Sequence, residues 1–468
     1  MSNMKMLSAD KVCFDEDLIR RYDGRGPRYT SYPTALQFDP SFTPDVYRQH
    51  ALASNASGLP LSLYIHIPFC HSLCYYCGCN KIVTRNQTRV TRYLENLHTE
   101  IDLQAELFSR ARKVEQLHFG GGTPTYLNEP QLDALMAKLR DAFNFDDSDE
   151  HEFSIEVDPR TVSPRSIGEL ANAGFNRLSL GVQDFNETVQ AAVNRMQSEA
   201  EVAAIVEASR KAGFRSISFD LIYGLPHQTQ ATFDDTLDTV IRMRPDRLAV
   251  YNYAHLPERF KGQRMIDAEN LPSAQTKLDI LKHTIEKLDA AGYIYIGMDH
   301  FALPEDDLVT ARHDQTPQRN FQGYSTHRRC DLIGLGASSI GSIGRSFAQN
   351  AVTTMDYEAL LTSGQLPIVK GLVVDDDDQL RAAVIQLLMC YDRVDFADFD
   401  ATHEVVFSDY FAAEIDRLGA LATDGLVSVG DDSIEVTAKG RLLLRSIAMV
   451  FDRHISEEHL GKRFSKAI

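Results

Sequence analysis

Apolar and polar residues alternate strictly in one short stretch of the chain. Four aliphatic residues occupy every second position from Leu61 to Ile67. This period of two predicts a β-strand, because successive side chains of a strand point to opposite faces. A helical pattern follows from about Thr88, and its predicted apolar face contains Val90, Leu94, Leu97, Ile101 and Phe108.

Strand and helix patterns continue to alternate after this helix. Further strands are predicted at Val114–Phe119, Glu152–Val157, Asn176–Val182, Ser216–Ile222 and Arg247–Tyr253. Helices predicted between them include Gln131–Phe143 and Glu199–Ala212. The six β-α units predict a parallel sheet with helices outside and a site at the C-terminal strand ends. Because a closed barrel of this kind needs eight units, we predict an α/β fold of the open, partial-barrel type.

The rest of the chain predicts additions to this barrel. One more strand, Tyr293–Met298, follows the helix Ala274–Ala291, and the segments Asn320–Thr326 and Gly334–Gly341 are predicted to be loops that return over the site. The acidic run Asp375–Asp378 is typical of a helix start and marks a domain boundary.

Three units are therefore expected. Residues 1–55 form an N-terminal arm on the substrate side, 56–370 the partial barrel with its additions, and 371–468 a mostly helical C-terminal domain with a hairpin near Val427–Val436. The arm segment Gly24–Thr34 is rich in proline, glycine and tyrosine, which predicts an extended conformation. Its tyrosines could pack on the main domain, or its polar groups could reach a carboxylated ligand.

Composition narrows the class of protein. The 468 residues carry a formal net charge of -18, which disfavours binding to nucleic acid or to an anionic membrane surface. No apolar run approaches the roughly 20 residues of a membrane-spanning helix, and Met1–Lys11 lacks the apolar core of a signal peptide. We therefore expect a cytoplasmic protein.

Four of the seven cysteines lie within ten residues, at positions 70, 74, 77 and 79. Such spacing is compatible with disulfides, zinc or an iron-sulfur cluster. A zinc site usually combines two C-x-x-C pairs, and the remaining cysteines stand alone. We therefore favour a cluster held by Cys70, Cys74 and Cys77, whose fourth iron is free for a substrate. Cys79 could also be a ligand, although a C-x-C step makes joint ligation of one cubane awkward.

Other candidate site residues fall at or just beyond predicted strand ends. The run Gly120–Thr125 would let backbone groups approach a ligand, although a tight turn also needs glycine. Glu156, Gln183 and Asp220 are polar residues in apolar strand contexts, and Arg195 could bind a carboxylate. Each of them, taken alone, is more often a cap or half of a buried ion pair.

The first strand carries two further candidates. Tyr64 and His66 share one strand face beside the cysteine loop. Together with Glu156 they are our candidate catalytic residues. For His66, a purely structural role, with its hydrogen bonds satisfied within the fold, is an equal alternative to catalysis.

The cysteine loop resembles the signature of the radical S-adenosylmethionine (SAM) superfamily. Over nearly its whole length, the chain resembles the oxygen-independent coproporphyrinogen III oxidases of that superfamily. The specific motifs are the extension Cys79-Asn80-Lys81, the arm Pro27–Thr34 and the segment Asn320–Tyr324.

The resemblance implies a [4Fe-4S] cluster on Cys70, Cys74 and Cys77, with Cys79 nearby but not a ligand. It also implies two SAM molecules. Their implied contacts are Tyr64, Tyr76, Gly121, Gly122, Thr123, Glu156, Gln183, Arg195, Asp220, Ala254 and Ile340.

The implied activity is the oxidative decarboxylation of two propionates of coproporphyrinogen III to vinyl groups, in porphyrin and haem biosynthesis. The expected partners are this substrate, an external electron donor and an electron acceptor, and we expect a monomer. Arg28 is a hypothetical partner of a substrate carboxylate. Two alternatives are another radical SAM reaction on a tetrapyrrole, such as methyl transfer or ring opening, and a haem-carrying chaperone related to this family.

Overall fold

Strands and helices alternate along the described part of the chain, which comprises residues 11–146, 148, 150–326 and 330–455 of the computed structural model. Its strands are β1 Leu61–Ile67, β2 Phe69–Cys70, β3 Ile82–Val83, β4 Lys113–Gly121, β5 Asn144–Phe145, β6 Glu152–Val157, β7 Arg177–Gln183, β8 Ser216–Tyr223, β9 Arg247–Asn252, β10 Ile294–Gly297, β11 His300–Ala302, β12 Gln318–Asn320, β13 Gly323–Ser325, β14 Asp331–Leu335, β15 Ile340–Ile343, β16 Ser346–Asn350, β17 Ile368–Val373, β18 Arg393–Asp395, β19 Val427–Val429 and β20 Ser433–Val436.

The α-helices are α1 Glu16–Tyr22, α2 Pro44–Ser54, α3 Gln87–Ala105, α4 Glu129–Ala142, α5 Pro164–Asn172, α6 Glu187–Ala192, α7 Glu199–Lys211, α8 Gln230–Met243, α9 Ala274–Ala290, α10 Asp307–His313, α11 Thr354–Thr362, α12 Asp376–Tyr391, α13 Phe396–His403, α14 Phe407–Tyr410, α15 Ala412–Thr423 and α16 Leu444–Ala448. The first ten residues of the predicted arm and the last thirteen of the predicted C-terminal domain lie outside the described residues. In the part of the chain described here, no helix is both long and apolar enough to cross a membrane.

The main sheet confirms the predicted open barrel. Six parallel strands follow one another in the order β1, β4, β6, β7, β8 and β9. Each predicted strand agrees with the observed one to within two residues. The terminal strands of the sheet, β10 and β17, do not pair with each other in the described residues, so the barrel is open. The additional predicted strand near residue 294 exists as β10, but it forms an antiparallel hairpin with β11.

The prediction of a loop at Gly334–Gly341 holds only for residues 336–339, because both ends of the segment belong to strands. Strand β14 pairs in parallel with β1, and β15 pairs with β14 in the antiparallel direction. A Cβ atom added at Gly334 would lie 2.8 Å from the carbonyl carbon of Ile340, and one added at Gly341 would lie 2.8 Å from the Leu332 oxygen. These glycines therefore allow close approach of two backbones and do not mark a flexible loop.

Two further boundaries differ from the prediction. The segment predicted as a loop at Asn320–Thr326 belongs largely to the short hairpin of β12 and β13. Helix α3 ends at Ala105, so Phe108 is buried in the turn that follows and is not on the helix face. Apolar residues in a tight turn can extend a helical pattern beyond the end of the helix.

The acidic run begins a helix, as predicted. The Asp375 carboxylate caps α12 by accepting a hydrogen bond from the Asp378 amide. The predicted hairpin exists as β19 and β20, but a strand that was not predicted, β18, completes a three-stranded sheet. This part has its own apolar core, which includes Phe407 and Phe411.

The N-terminal arm packs against this second core. Residues 23–34 contain no helix, as predicted, and Tyr29 and Tyr32 are buried in the second core. The Tyr29 hydroxyl donates to the Asp452 carboxylate, and the Tyr32 hydroxyl accepts from the Arg453 amide. The arm tyrosines therefore pack on the C-terminal part of the chain, and their hydroxyl groups are bonded to it.

A buried ion pair fixes β14 beside β1. Arg112 Nη2 lies 2.5 Å from Asp331 Oδ2, and the two side chains are 1% and 7% exposed. Arg112 also donates to the Ser54 hydroxyl and to the Leu59 carbonyl oxygen. A buried cation that loses its carboxylate partner is strongly destabilising, because its charge is then uncompensated.

We therefore expect Asp331→Ala to lower the free energy of unfolding by about 3–5 kcal/mol, measured by denaturant unfolding followed by circular dichroism. Glu207→Ala is the control, because it removes an exposed i,i+4 partner of Lys211 on α7 and should leave the unfolding curve unchanged. Equal effects of the two substitutions would contradict this role of the buried pair.

Candidate active site

The cysteine loop begins directly after β1 and lies at the C-terminal edge of the parallel sheet. Cys70 is in β2, which pairs with β3 through hydrogen bonds from the Ile82 amide to the Pro68 oxygen and from the Thr84 amide to the Cys70 oxygen. Cys70, Cys74 and Cys77 all line one cavity of about 690 Å³. Cys79 lines the same cavity.

The glycine run at the end of β4 packs tightly against the end of β1. The Gly122 amide donates to the Ile67 oxygen at 2.8 Å, and a Cβ atom at Gly122 would lie 2.7 Å from the Pro68 carbonyl carbon. Gly121 has a φ of 117°, and a Cβ there would lie 2.7 Å from the His66 ring. Gly121, Gly122 and Thr123 nevertheless line the cavity, so the run satisfies packing and also presents backbone to a ligand.

Glu156 and Asp220 reach the cavity from the ends of β6 and β8. The Glu156 carboxylate accepts from the Gly121 amide at 3.1 Å and lies 3.4 Å from His118 Nε2. Burial, reinforced by the charge of Glu156, raises the pKa of Asp220 to about 7, although the Ser179 hydroxyl donates to its carboxylate. These two neighbouring carboxyl groups therefore have different environments.

Arg195 lies beside the cysteine loop in a network of charges. Its Nη1 atom is 3.1 Å from Asp158 Oδ2 and 3.5 Å from Cys74 Sγ. Arg160 Nη2 donates to the same carboxylate at 2.7 Å and lies 3.4 Å from Cys74 Sγ. Burial opposes ionisation of Asp158, but the two arginines outweigh it and lower its pKa. Two guanidinium groups thus face a thiol that would be anionic as a metal ligand.

Gln183 enters the cavity at the end of β7 from a left-handed backbone conformation, with a φ of 67°. A Cβ atom at the neighbouring Gly181 would lie 2.9 Å from both Gln183 Nε2 and Arg195 Nη2. Glycine at this position therefore leaves room for both polar side chains. A strained residue at a strand end beside a cavity is typical of ligand sites.

His66 is held on both sides of its ring. Its Nε2 atom lies 3.1 Å from the Asn80 carbonyl oxygen, which accepts, so Nδ1 accepts from the Tyr64 hydroxyl at 3.1 Å. Burial lowers the pKa of His66, which favours this neutral form. Neither His66 nor Tyr64 lines the cavity of the cysteines. His66 therefore connects β1 with the chain that follows Cys79.

Ala254 and Ile340 also lie outside the lining of the cysteine cavity. Ala254 lines a neighbouring cavity of about 420 Å³. It remains close to the cysteine loop, because the Gln263 amide donates to the carbonyl oxygens of both Ala254 and Tyr76. Tyr76 lines the larger cavity. Ile340 begins β15 and does not line either cavity.

Several cavity residues were not predicted from the sequence. Asp158 and Arg160 directly follow β6, and Ser179 and Tyr251 lie on β7 and β9. The positions of Asp158 and Arg160 beyond the end of a strand were a usable signal. The contacts of Asp158 with Arg195 and of Arg160 with Cys74 could not be predicted, because they join distant segments of the chain.

The donor set fits an iron-sulfur cluster. No three His, Cys, Asp or Glu side chains among the described residues converge on the position of a single metal ion. A cubane does not require such convergence, because its cysteines bind different irons. The hydrogen bond with Cys79 lowers the pKa of the Cys77 thiol to about 6, with help from Lys81 and against the effect of burial. Burial raises the pKa of Cys70 to about 11.

The chain matches two families. Residues 64–240 match the radical SAM superfamily, and residues 374–443 match the HemN C-terminal domain. The oxygen-independent coproporphyrinogen III oxidase of Pseudomonas aeruginosa is 52% identical over 98% of this chain and 100% of its own length. The protein of the same name from Escherichia coli is 47% identical over 99% of this chain and 100% of its own length.

A solved structure is similar along nearly the whole chain. The coproporphyrinogen III oxidase (HemN) of Escherichia coli, described as a radical SAM enzyme, matches with a TM-score of 0.90 at 48% identity. The match covers 95% of this chain and 100% of that one. Fold and sequence are therefore similar along nearly the whole chain. The chain belongs to the oxygen-independent coproporphyrinogen III oxidases of the radical SAM superfamily.

Proposed function

We propose that this chain converts two propionate side chains of coproporphyrinogen III to vinyl groups by oxygen-independent oxidative decarboxylation, giving protoporphyrinogen IX. The observation that carries the proposal is the single cavity in which the three cysteines meet the glycine run and the strand-end polar residues. Relatives that match nearly the whole chain are oxidases by name, which favours the enzyme over a haem-carrying chaperone. Each decarboxylation releases carbon dioxide and one electron, so the proposal includes an electron acceptor. It also includes an external donor, which reduces the cluster.

Cys70, Cys74 and Cys77 are the proposed ligands of a [4Fe-4S] cluster, and Cys79 is a neighbour. When bound, this cluster and SAM supply a 5'-deoxyadenosyl radical that removes hydrogen from a propionate side chain. Arg160 and Arg195 lie near Cys74 and would offset the negative charge of the thiolates. Because a radical attacks the nearest hydrogen, positioning by the protein decides the product.

The remaining predicted site residues are proposed contacts of two SAM molecules. Support comes from their common cavity, which includes Tyr76, Gly121, Gly122, Thr123, Glu156, Gln183, Arg195 and Asp220. Ala254, in the adjoining cavity, and Ile340 remain predictions of the resemblance. For Tyr64 and His66 we propose a positioning role, because their hydrogen bonds hold the segment after Cys79.

The arm supplies a basic surface suited to a substrate with several carboxylates. Arg20, Arg25, Arg28 and Lys277 line the adjoining cavity of about 420 Å³, with Asp23 as its acidic member. The Arg28 guanidinium lies 5.5 Å from the centre of the Tyr251 ring, and Tyr251 lines the cavity of the cysteines. Its nearest carboxylate, Asp299, is 3.7 Å away, beyond hydrogen-bond distance. Arg28 is therefore placed between the two cavities, with donors for a propionate.

The first test is an anaerobic assay of the reconstituted protein with coproporphyrinogen III, SAM and a chemical reductant. We expect carbon dioxide, 5'-deoxyadenosine and a divinyl product, detected by mass spectrometry. Cys70→Ala, Cys74→Ala and Cys77→Ala should each lose the visible absorbance of the cluster and all three products, because each removes one ligand.

Cys79→Ala should keep the cluster absorbance, and Cys13→Ala, an exposed cysteine outside the loop, should behave as the unmodified protein. Deoxyadenosine without carbon dioxide would indicate a different radical substrate. Stable haem binding with neither product would favour the chaperone.

The role of Arg28 predicts a defect in substrate binding. Arg28→Ala should raise KM for coproporphyrinogen III about tenfold or more, because a hydrogen bond to a charged group contributes roughly 1.5–3 kcal/mol. Arg28→Lys should restore part of the affinity. Arg21→Ala is the control, because Arg21 is on the same arm but pairs with Asp424 outside the cavity. Unchanged affinity and turnover in Arg28→Ala would contradict the role.

The environment of Asp220 predicts a dependence of stability on pH. Its pKa rises from 3.8 to about 7 on folding, chiefly through burial. The native protein therefore holds a proton that the unfolded chain releases, and this contribution to stability is lost as pH rises from about 4 to 7. Asp220→Asn removes this titrating group. The free energy of unfolding of the unmodified protein, relative to that of Asp220→Asn, should therefore fall as pH rises from about 4 to 7.

Thermal unfolding at several pH values measures the difference in stability between the unmodified protein and Asp220→Asn. The control is Asp289→Asn, which changes an exposed residue of α9. A difference between the unmodified protein and Asp220→Asn that does not change with pH would contradict the burial argument.

A further inference from the structure

The proposed function requires an electron to enter the cluster from outside, and one surface lies directly beside a proposed ligand. Strand β3 pairs with β2 so that Val83 is opposite Cys70. Paired strands are about 4.7–4.9 Å apart. Val83 is nevertheless 46% exposed. The protein surface therefore reaches within one strand spacing of the cysteine backbone.

Exposed apolar residues gather around this point. Val352 and Met355 are 48% and 74% exposed. Their segment is tied to the cysteine loop, because the Asn80 amide donates to the Val352 oxygen at 3.0 Å. It is tied to α3 as well, because Arg89 Nη2 donates to the Thr354 hydroxyl at 3.3 Å. Val83, Val352 and Met355 are thus exposed apolar residues on segments that these hydrogen bonds hold together, and we call them the apolar patch.

The edge of this patch is basic. Arg85 precedes α3, and Arg89 and Arg92 lie on its first two turns, where their i,i+3 spacing puts them on one helix face. Arg92 pairs with Glu358, whereas Arg85 and Arg89 are exposed. A local excess of positive charge is informative in a chain whose net charge is -18.

We propose that Val83, Val352 and Met355, with Arg85 and Arg89 at their edge, form the docking surface for a small acidic protein that delivers one electron at a time. An apolar centre with a charged rim matches a transient interface, in which rim charges steer association. The net negative charge of the chain disfavours an acidic carrier on average, and the basic edge favours its approach beside the cluster loop. This inference rests on the proposed function, which requires the external donor.

The test measures reduction of the reconstituted cluster by stopped-flow absorbance, with a chemically reduced acidic flavodoxin as the probe. The double variant Arg85→Glu/Arg89→Glu should lower the second-order rate constant about tenfold or more at low ionic strength. The deficit should shrink at high salt, because exposed charges are then screened. The affinity of the double variant for flavodoxin, measured by titration calorimetry, should also fall.

The matched control is Lys211→Glu/Lys282→Glu, which changes the net charge by the same amount on the exposed surfaces of α7 and α9. Flavodoxin should reduce the cluster of this control at the rate of the unmodified protein. Dithionite, a small reductant that needs no docking, should reduce all three proteins at the same rate. Normal reduction of the Arg85/Arg89 variant by flavodoxin, or an equal loss in the control, would overturn the docking surface. Failure of the unmodified, dithionite-reduced protein to form product would instead count against the proposed function.

Discussion

The close approach of two backbones at the end of β1 is the constraint on which the site depends. The end of β4 touches the end of β1 and the residues that follow it, because residues 121 and 122 lack side chains. The hydrogen bond from the Gly122 amide to the Ile67 oxygen fixes this contact. It brings the cysteine loop over the ends of the neighbouring strands. Without this approach, the cysteines and the carboxylates of β6 and β8 could not share one cavity.

Basic residues cluster at two places in a protein whose net charge is negative. The protein is acidic overall, but Arg160 and Arg195 surround Cys74, and four basic residues line the cavity beside the arm. Asp158 is the counter-ion of the first pair, so the guanidinium groups are neutralised in part before any ligand binds. A buried cation without such a partner would be costly. The carboxylate thus makes it feasible to keep two arginines beside the cysteine loop.

Much of the barrel could be predicted from the sequence, because its six parallel strands have regular apolar patterns and are separated by helices with a clear apolar face. The cysteine loop and the glycine run could also be found, since both are continuous in the chain. Strands β14 and β15 could not, because their glycines suggest a loop unless the neighbouring backbone is known. The same limit applies to Asp158, whose role depends on Arg195, 37 residues away. Local pattern predicts elements, whereas contacts between distant segments assemble the site.

The position of Arg28 shows how far such contacts extend. Its own carbonyl oxygen accepts from Arg319, and the two preceding carbonyl oxygens accept from Arg445. Arg445 is buried, and burial lowers its pKa to about 10, so it remains a cation at neutral pH. Backbone carbonyl oxygens serve as hydrogen-bond partners of this buried cation. The C-terminal part of the chain therefore fixes the arm through its backbone and leaves the Arg28 side chain directed towards Tyr251 and the two cavities.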